Sequence, residues 1–435
     1  MHEANRSPTA LGDERILPPR EALIAAESGG STPCVIAPAE KLRRGAKGFR
    51  GMMLAMLAAG FATFGLLYCV QPLMPVLAHE FGLNAAGSSL VLSISTILLA
   101  SGLVFTGPIS DALGRKPIMV AALFGAALFT IASALMPTWN GVLVMRALIG
   151  ISLSGLVAVA MTYLSEEIAP EVLGWSMGLY IGGNAIGGMG GRLIAGVLVD
   201  FVSWRIALGA LGVAGLLAAI AFWRLAPPSR HFQPTPLQFR ALREGFILHL
   251  RDPGLPWLFA EGFLLMGGFV TLFNYITYRL LAAPYHLSQA IVGSVSAVYL
   301  TGIYSSARVG ALADRLGRRR VFWGITAVML VGVLITLAEP LWLVLVGMLV
   351  FSFGFFGAHS VASSWIGRRA RRARGQASSL YLLCYYIGSS VAGTTGGYFW
   401  HYAGWTGVAW FIAGLLTIAV LIALKLTRLP PLPSS

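Results

Sequence analysis

Arg146, Arg192 and Glu261 each lie well inside an unbroken apolar run, and His359 lies inside another. A charge in such a setting costs about 2.5–3.5 kcal/mol on insertion scales, so it marks either a structural pairing or a working site. Glu261 is the one carboxylate deep in such a run, and its short stem reaches an interface poorly. It is the first candidate for proton coupling, with Arg146 and the near-neutral titrator His359 beside it. The rival account makes Glu261 part of an ion pair, the arginines snorkelling side chains and His359 a packed one. Aromatic and amide side chains fall on shared helical faces: Phe64, Tyr68 and Gln71 at i, i+4, i+7; Glu261, Gly268 and Tyr275 seven apart; Tyr381 and Tyr385 four apart. With Arg192 and Asn274 these residues suit the wall of a cavity for an amphiphilic organic molecule, although ordinary core packing explains any one of them. Two arginines against one carboxylate disfavour a cation there, so a neutral or anionic molecule is expected.

The elements that position these residues follow from composition. Of 435 residues, 57% are hydrophobic and 11% charged, less than half the charge a water-soluble surface carries. A lipid coat resolves the deficit, since a spanning helix needs about 20 apolar residues. Apolar runs fall near 52–78, 87–107, 117–136, 140–163, 174–199 and 204–225, then near 255–279, 289–311, 321–338, 341–366, 377–399 and 405–426. The expectation is an all-α polytopic membrane protein whose twelve transmembrane helices form two six-helix, pseudo-symmetric bundles. Its parts are a disordered tail (1–50), a first bundle (51–225), a polar central loop (226–252), a second bundle (253–426) and a short tail (427–435).

Net charge is +14, from 31 basic and 17 acidic residues. Nucleic acid is not the implied partner, because the basic residues cluster between apolar runs as orientation signals. With the first tail cytoplasmic, inside segments hold 23 Lys and Arg, and outside segments hold only Arg205 and Arg279. Both termini are therefore expected in the cytoplasm. The arginines at 368–374 and 318–320 also suit contact with anionic lipid, although orientation alone accounts for them. Cys34, Cys69 and Cys384 are scattered and suggest neither disulfide framework nor metal site. No H-E-x-x-H, G-x-S-x-G or phosphate-loop pattern is present, which argues against an enzyme and against ATP drive. No charged or carbonyl-lined filter segment suggests a channel.

The two halves repeat. Gly107, Asp111, Gly114, Arg115 and Lys116 recur as Gly310, Asp314, Gly317, Arg318 and Arg319, at an offset of 203, each set closing the second span of its half. Small residues four apart, Gly183, Gly187, Gly191 and Ala195, form a helix stripe echoed by Gly388, Ala392 and Gly396. Such stripes bring backbones into contact, as static packing or for helices that slide.

The doubled G-x-x-x-D-x-x-G-R-[KR] segment resembles motif A of the major facilitator superfamily. The run Leu143 to Gly150 around Arg146 resembles its motif B, and Gly178, Gly187, Gly191 and Gly196 resemble the antiporter motif C, with Arg192 in place of its proline. The likeness covers the chain after residue 50 and points to the drug/proton antiporter branch. It implies proton-driven export of a small molecule with no cofactor beyond the proton gradient, motif A acting as a latch between halves, and a monomer in a bacterial inner membrane. Gln71 stands where many drug antiporters carry an acid in the first span, and Leu349 where a second Arg146 would repeat. Proton-coupled uptake through the same fold is the alternative.

Overall fold

The structure, a computed structural model, describes residues 41–234 and 239–429. Most of the expected N-terminal tail and the last residues of the C-terminal one lie outside the described residues. Twelve spans follow: α1 (Phe49–Tyr68), α2 (Ala85–Leu113), α3 (Arg115–Leu135), α4 (Trp139–Glu167), α5 (Pro170–Phe201) and α6 (Trp204–Leu225). The second half has α7 (Leu255–Leu281), α8 (Gln289–Leu316), α9 (Arg318–Ile335) and α10 (Leu341–Arg369). The last helical run, Arg374–Thr427, is divided by non-helical Ala403 and Gly404 into α11 (374–402) and α12 (405–427). Leu128, Leu217 and Leu421 on the outside of the bundle are exposed apolar side chains, as a lipid-facing surface requires.

Three local features depart from the sequence reading. The first run is not one span: α1 ends at Tyr68, a turn carries Gln71 and Pro72, and a short helix Met74–Glu80 follows. Pro72 has no N–H for the Tyr68 carbonyl and its ring crowds it, so the chain leaves the helix in a turn and the last carbonyls of α1 are left for other donors. The central loop contains a helix, Phe239–Leu250. Asp111 and Asp314 are not in loops but in the last turns of α2 and α8, and each connection is a single glycine. Gly114 and Gly317 reverse the chain at φ 102° and 88°, which a Cβ would strain.

Packing repeats between halves. α1 lies on α5 and α6, α2 on α4, and α3 on α4 and α6; correspondingly α7 lies on the α11–α12 run, α8 on α10, and α9 on α10. The glycine stripes make close joints within each half. Gly183 faces the Leu57 carbonyl, Gly187 the backbone of Phe61, and Gly191 the backbone of Gly65. Gly388 sits on the Phe263 backbone and Gly396 on Thr271 and Tyr275. A Cβ at Gly187 would overlap the Phe61 carbonyl, so only glycine lets α5 approach α1 this closely.

Candidate functional site

The two ends of the bundle differ chemically. One carries Arg115, Lys116, Arg318 and Arg369, and is called the basic end; the other carries Trp139, Trp204 and Trp405. At the Trp204 end, Arg205 donates to the Ala134 and Met136 carbonyls, and Arg279 donates to those of Thr336 and Ala338. These two arginines cap the ends of α3 and α9.

Hydrogen bonds between halves gather between the mid-plane and the Trp204 end. On α2 and α11, Ser390 Oγ donates to the Ser93 carbonyl (3.0 Å), Thr394 donates to Ser93 Oγ (2.8 Å), and the Thr96 and Ser390 hydroxyls meet at 2.7 Å. On α5 and α8, the Asp200 carboxylate accepts from the N–H groups of Gln289 and Ala290 at 3.1 and 2.8 Å. Gly196 rests on the Gln289 carbonyl beside Gly293. Gly196 of α5 thus crosses between halves, as Gly397 of α11 does on the Ala86 backbone of α2, whereas Gly183, Gly187 and Gly191 serve contacts within one half.

At the basic end the motif residues bond inside their own half. Arg115 pairs with Asp111 and, at 2.8 Å, with Glu166 of α4, and its Nη1 also donates to Ser110. Lys116 donates to the Ala226 carbonyl. In the second half, Arg318 pairs with Asp314 (2.5 Å) and donates to Ser364, while Arg368 reaches Asp314 at 3.3 Å. Arg319, next to Arg318, opens α9. Glu166, which completes the first network, carries no spacing signal of its own. Gly107 has open space where a Cβ would stand and Gly310 only an ordinary contact, so close backbone approach is not what occupies these two positions. Asp252 caps α7 through the N–H groups of Gly254 and Leu255 (2.7 and 2.8 Å) and pairs with Arg369 at 2.5 Å.

The intramembrane charges separate. Arg146 is fully buried on α4, and all of its donor nitrogens are engaged: Nε with the Val91 carbonyl (2.9 Å), Nη1 with Leu66 (3.0 Å) and Nη2 with Leu67 (2.7 Å). It closes the end of α1 that Pro72 opens. Glu261 is fully buried on α7 with neither carboxyl oxygen hydrogen-bonded. Gly268, seven residues on and so on the same face, meets Ile412, Leu416 and Met329. At Gly268 that face turns into the second bundle. The three residues of the expected stripe therefore do not line one cavity wall: Tyr275 lies where α7 meets α11 and α2, its OH donating to the Gly393 carbonyl (2.7 Å) next to Ser89. His359 bonds Tyr381 OH through Nδ1 (2.8 Å) and packs on Phe355 and Tyr385, so these residues do come together.

The junction itself is built around Arg192. Its Nε donates to Gln71 Oε1 (2.5 Å), its Nη1 to the Gly188 carbonyl (2.5 Å), and Gln71 Nε2 donates to Asn274 Oδ1 (2.6 Å). Its guanidinium carbon lies 4.5 Å from the Tyr68 ring and 4.8 Å from that of Tyr299, within cation–π range. Tyr68, Gln71, Arg192 and Asn274 thus meet as the sequence reading expects. Tyr299 and Phe273 join them without any sequence signal, since both read as plain apolar positions. An aromatic run of Tyr299, Phe273, Phe269 and Phe355 continues to His359 and Tyr385. The sequence reading also passed over Arg308 on α8, an exposed charge stacked on Tyr304 at 5.3 Å.

Two bundles of six, joined at one end and each closed by the same motif, match a known architecture. The model of the Major Facilitator Superfamily matches residues 56–281 and 262–435. The chain belongs to the major facilitator superfamily. It is 60% identical over 391 residues to the inner membrane transport protein YnfM of Escherichia coli (strain K12), covering 90% of this chain and 94% of that one. It is 45% identical to the MFS-type transporter YybF of Bacillus subtilis (strain 168), covering 90% and 97%. Solved structures share the fold at low identity. They include a bacterial homolog of the human lysosomal transporter Spinster, inward-facing and unoccupied (TM-score 0.70, 13% identical, 88% and 96% covered). The nucleoside transporter NupG is another (TM-score 0.72, 15% identical, 87% and 100% covered). The twelve-helix facilitator fold is therefore that of this chain, and as a member of a transporter family it is not an enzyme.

Proposed function

We propose that the chain exports a small neutral or anionic organic compound in exchange for protons, by alternating access, as a monomer in a bacterial inner membrane. The name of the 60% identical relative supports that membrane, and the positive-inside rule puts the basic end and both termini in the cytoplasm. In that orientation the ties of Ser93, Thr96 and Asp200 to Ser390, Thr394 and the start of α8 close the outside. The junction then faces inward. That set of ties is the observation that carries the reading, because each is a short polar contact that can break without unfolding either half. Rocking the halves exchanges them for contacts at the cytoplasmic end, where motif A is the latch of the resembled family.

Glu261 is the coupling acid in this proposal. Neither of its carboxyl oxygens has a hydrogen-bond partner, so the cycle itself supplies the water or partner through which its proton is exchanged. His359 and the Tyr381 hydroxyl, bonded to each other on α10 and α11, are the relay groups of this proposal. Arg146, with its nitrogens engaged by carbonyls, positions α1 instead.

The test uses inside-out vesicles with an imposed pH gradient and a panel of neutral, anionic and cationic compounds, following internal pH by fluorescence. Substrate-dependent proton release that disappears in Glu261→Gln is the expected result. Proton movement in the same direction as the substrate would replace export by uptake, and transport indifferent to both pH and Glu261→Gln would refute coupling.

A further inference from the structure

Arg146 and Arg192 share a depth of burial and differ in one atom. Arg146 spends every nitrogen on a carbonyl, while Arg192 keeps Nη2 buried with no partner. Among the described residues no acidic side chain pairs with Arg192, so its charge stands uncompensated in the junction.

The orphan nitrogen is one end of a forced chain. A guanidinium has only donors, so Gln71 must turn its oxygen to Arg192 and its NH2 to Asn274. Asn274 must then offer its oxygen to Gln71, which leaves its own Nδ2 over. That nitrogen is buried and unpartnered, and so is the hydroxyl of Tyr299, whose ring packs on the guanidinium. The relay therefore has a donor left over at each end: Asn274 Nδ2, beside Gly393 of α11, and Arg192 Nη2, beside the ring of Tyr299. Buried polar groups normally find partners, so the orphan guanidinium nitrogen and the orphan Tyr299 hydroxyl next to it mark a missing acceptor.

We infer that the missing acceptor is the carboxylate of an organic acid with an apolar or aromatic body, held by Arg192 Nη2 and Tyr299 OH. This rests on the junction being where the transported molecule binds. A carboxylate supplies about four acceptor positions and the counter-charge. A carboxamide brings no charge to offset the guanidinium, and an ammonium brings a like charge. A cavity of about 20 Å³ lined by Arg192, Gln71, Phe273, Thr277 and Ser296 lies at this point, room for roughly one water. It admits the oxygen end of a ligand and not its body. The body lies instead along the aromatic run, against Tyr68, Tyr299 and Tyr385.

The experiment is equilibrium binding to the purified full chain, with no gradient applied. The probes are the carboxylates 2-naphthoate, 3-phenylpropanoate and octanoate, the neutral 2-naphthamide and the cationic 2-naphthylmethylamine. At least one carboxylate binds saturably and about tenfold or more tighter than the amide and the amine, the scale of one hydrogen bond to a charged group. Arg192→Gln removes that preference. Should Arg192→Gln fail to fold, Arg192→Lys and Tyr299→Phe serve, each weakening the carboxylate about threefold or more and leaving the amide unchanged. Silence from all three carboxylates, equal binding of amide or amine, or full affinity in both Arg192→Lys and Tyr299→Phe overturns the inference. Binding needs no proton gradient, so loss of coupling leaves the carboxylate site standing. Proton-coupled movement of a neutral compound, with no preference among the probes, would remove the carboxylate and keep the exporter.

Discussion

Replacing each buried arginine by methionine separates a structural charge from a functional one. Arg146 and Arg192 are 0% and 3% exposed, so the several kcal/mol regained by no longer burying a guanidinium is nearly common to both variants and cancels in the comparison. What remains is what each leaves behind. Arg146→Met strands the Leu67 carbonyl and leaves that of Leu66 only the Cys69 thiol, a weak donor, at about 1–3 kcal/mol each. Arg192→Met strands one acceptor, Gln71 Oε1, while Gly188 keeps its place in the α5 ladder and Gln71 Nε2 keeps Asn274. Arg146→Met should therefore be the less stable by roughly 1–3 kcal/mol. At about 2–4 °C per kcal/mol for units the size of each half, that is a gap of at least ~2 °C. Thermal unfolding of both purified variants beside the parent, followed by tryptophan fluorescence, reads the gap directly. Arg192→Met should unfold no earlier than the parent while losing carboxylate binding. An Arg192→Met protein that melts as early as Arg146→Met would refute the distinction, and with it the claim that the orphan nitrogen waits for a ligand.

Asp111→Asn breaks a half-exposed ion pair with Arg115, which is worth little to the fold, so transport into vesicles should fall while the amount in the membrane, read by immunoblot, is unchanged; normal transport would remove motif A from the cycle. Gly187→Leu drives a side chain into the Phe61 carbonyl, and even Gly187→Ala should lower the melting temperature by several degrees, whereas Gly182→Ala, in open space, should not. Burial opposes ionisation of Asp252, but the Arg369 guanidinium and the N–H groups of Gly254 and Leu255 outweigh it and hold the carboxyl below its ordinary value. A depressed acid contributes stability that is complete above its unfolded value and lost as pH falls through its folded one. Melting temperature plotted against pH should therefore separate Asp252→Asn from the parent at neutral pH and bring them together in acid, and parallel curves would show that the cap does not respond to pH.

The architecture was legible along the chain. Twelve apolar runs, a 203-residue repeat of Gly107 to Lys116 and clustered basic residues leave few alternatives, because hydrocarbon demands that each run satisfy its own backbone. The sequence also singled out Tyr68, Gln71, Arg192 and Asn274, since a polar group in an apolar run stands out at once. It did not show that Pro72 ends the first helix inside its run, because the next residues are just as apolar and the end is secured by Arg146 from another helix. Nor did it assign the charges. Arg146 and Arg192 look alike along the chain, and only the carbonyls gathered from α1 and α2 make one a staple. Glu261, Gly268 and Tyr275 share a face, but the period of a helix does not say which neighbours that face meets; packing set Gly268 against α9 and α12 and Tyr275 against α11 and α2. Tyr299 escaped notice for the same reason, as an aromatic residue becomes part of a site only when the other half of the molecule brings it a guanidinium. Hydrophobic periodicity is local and survives in sequence. Partnership across 100 or more residues is a property of the folded pair and appears only there.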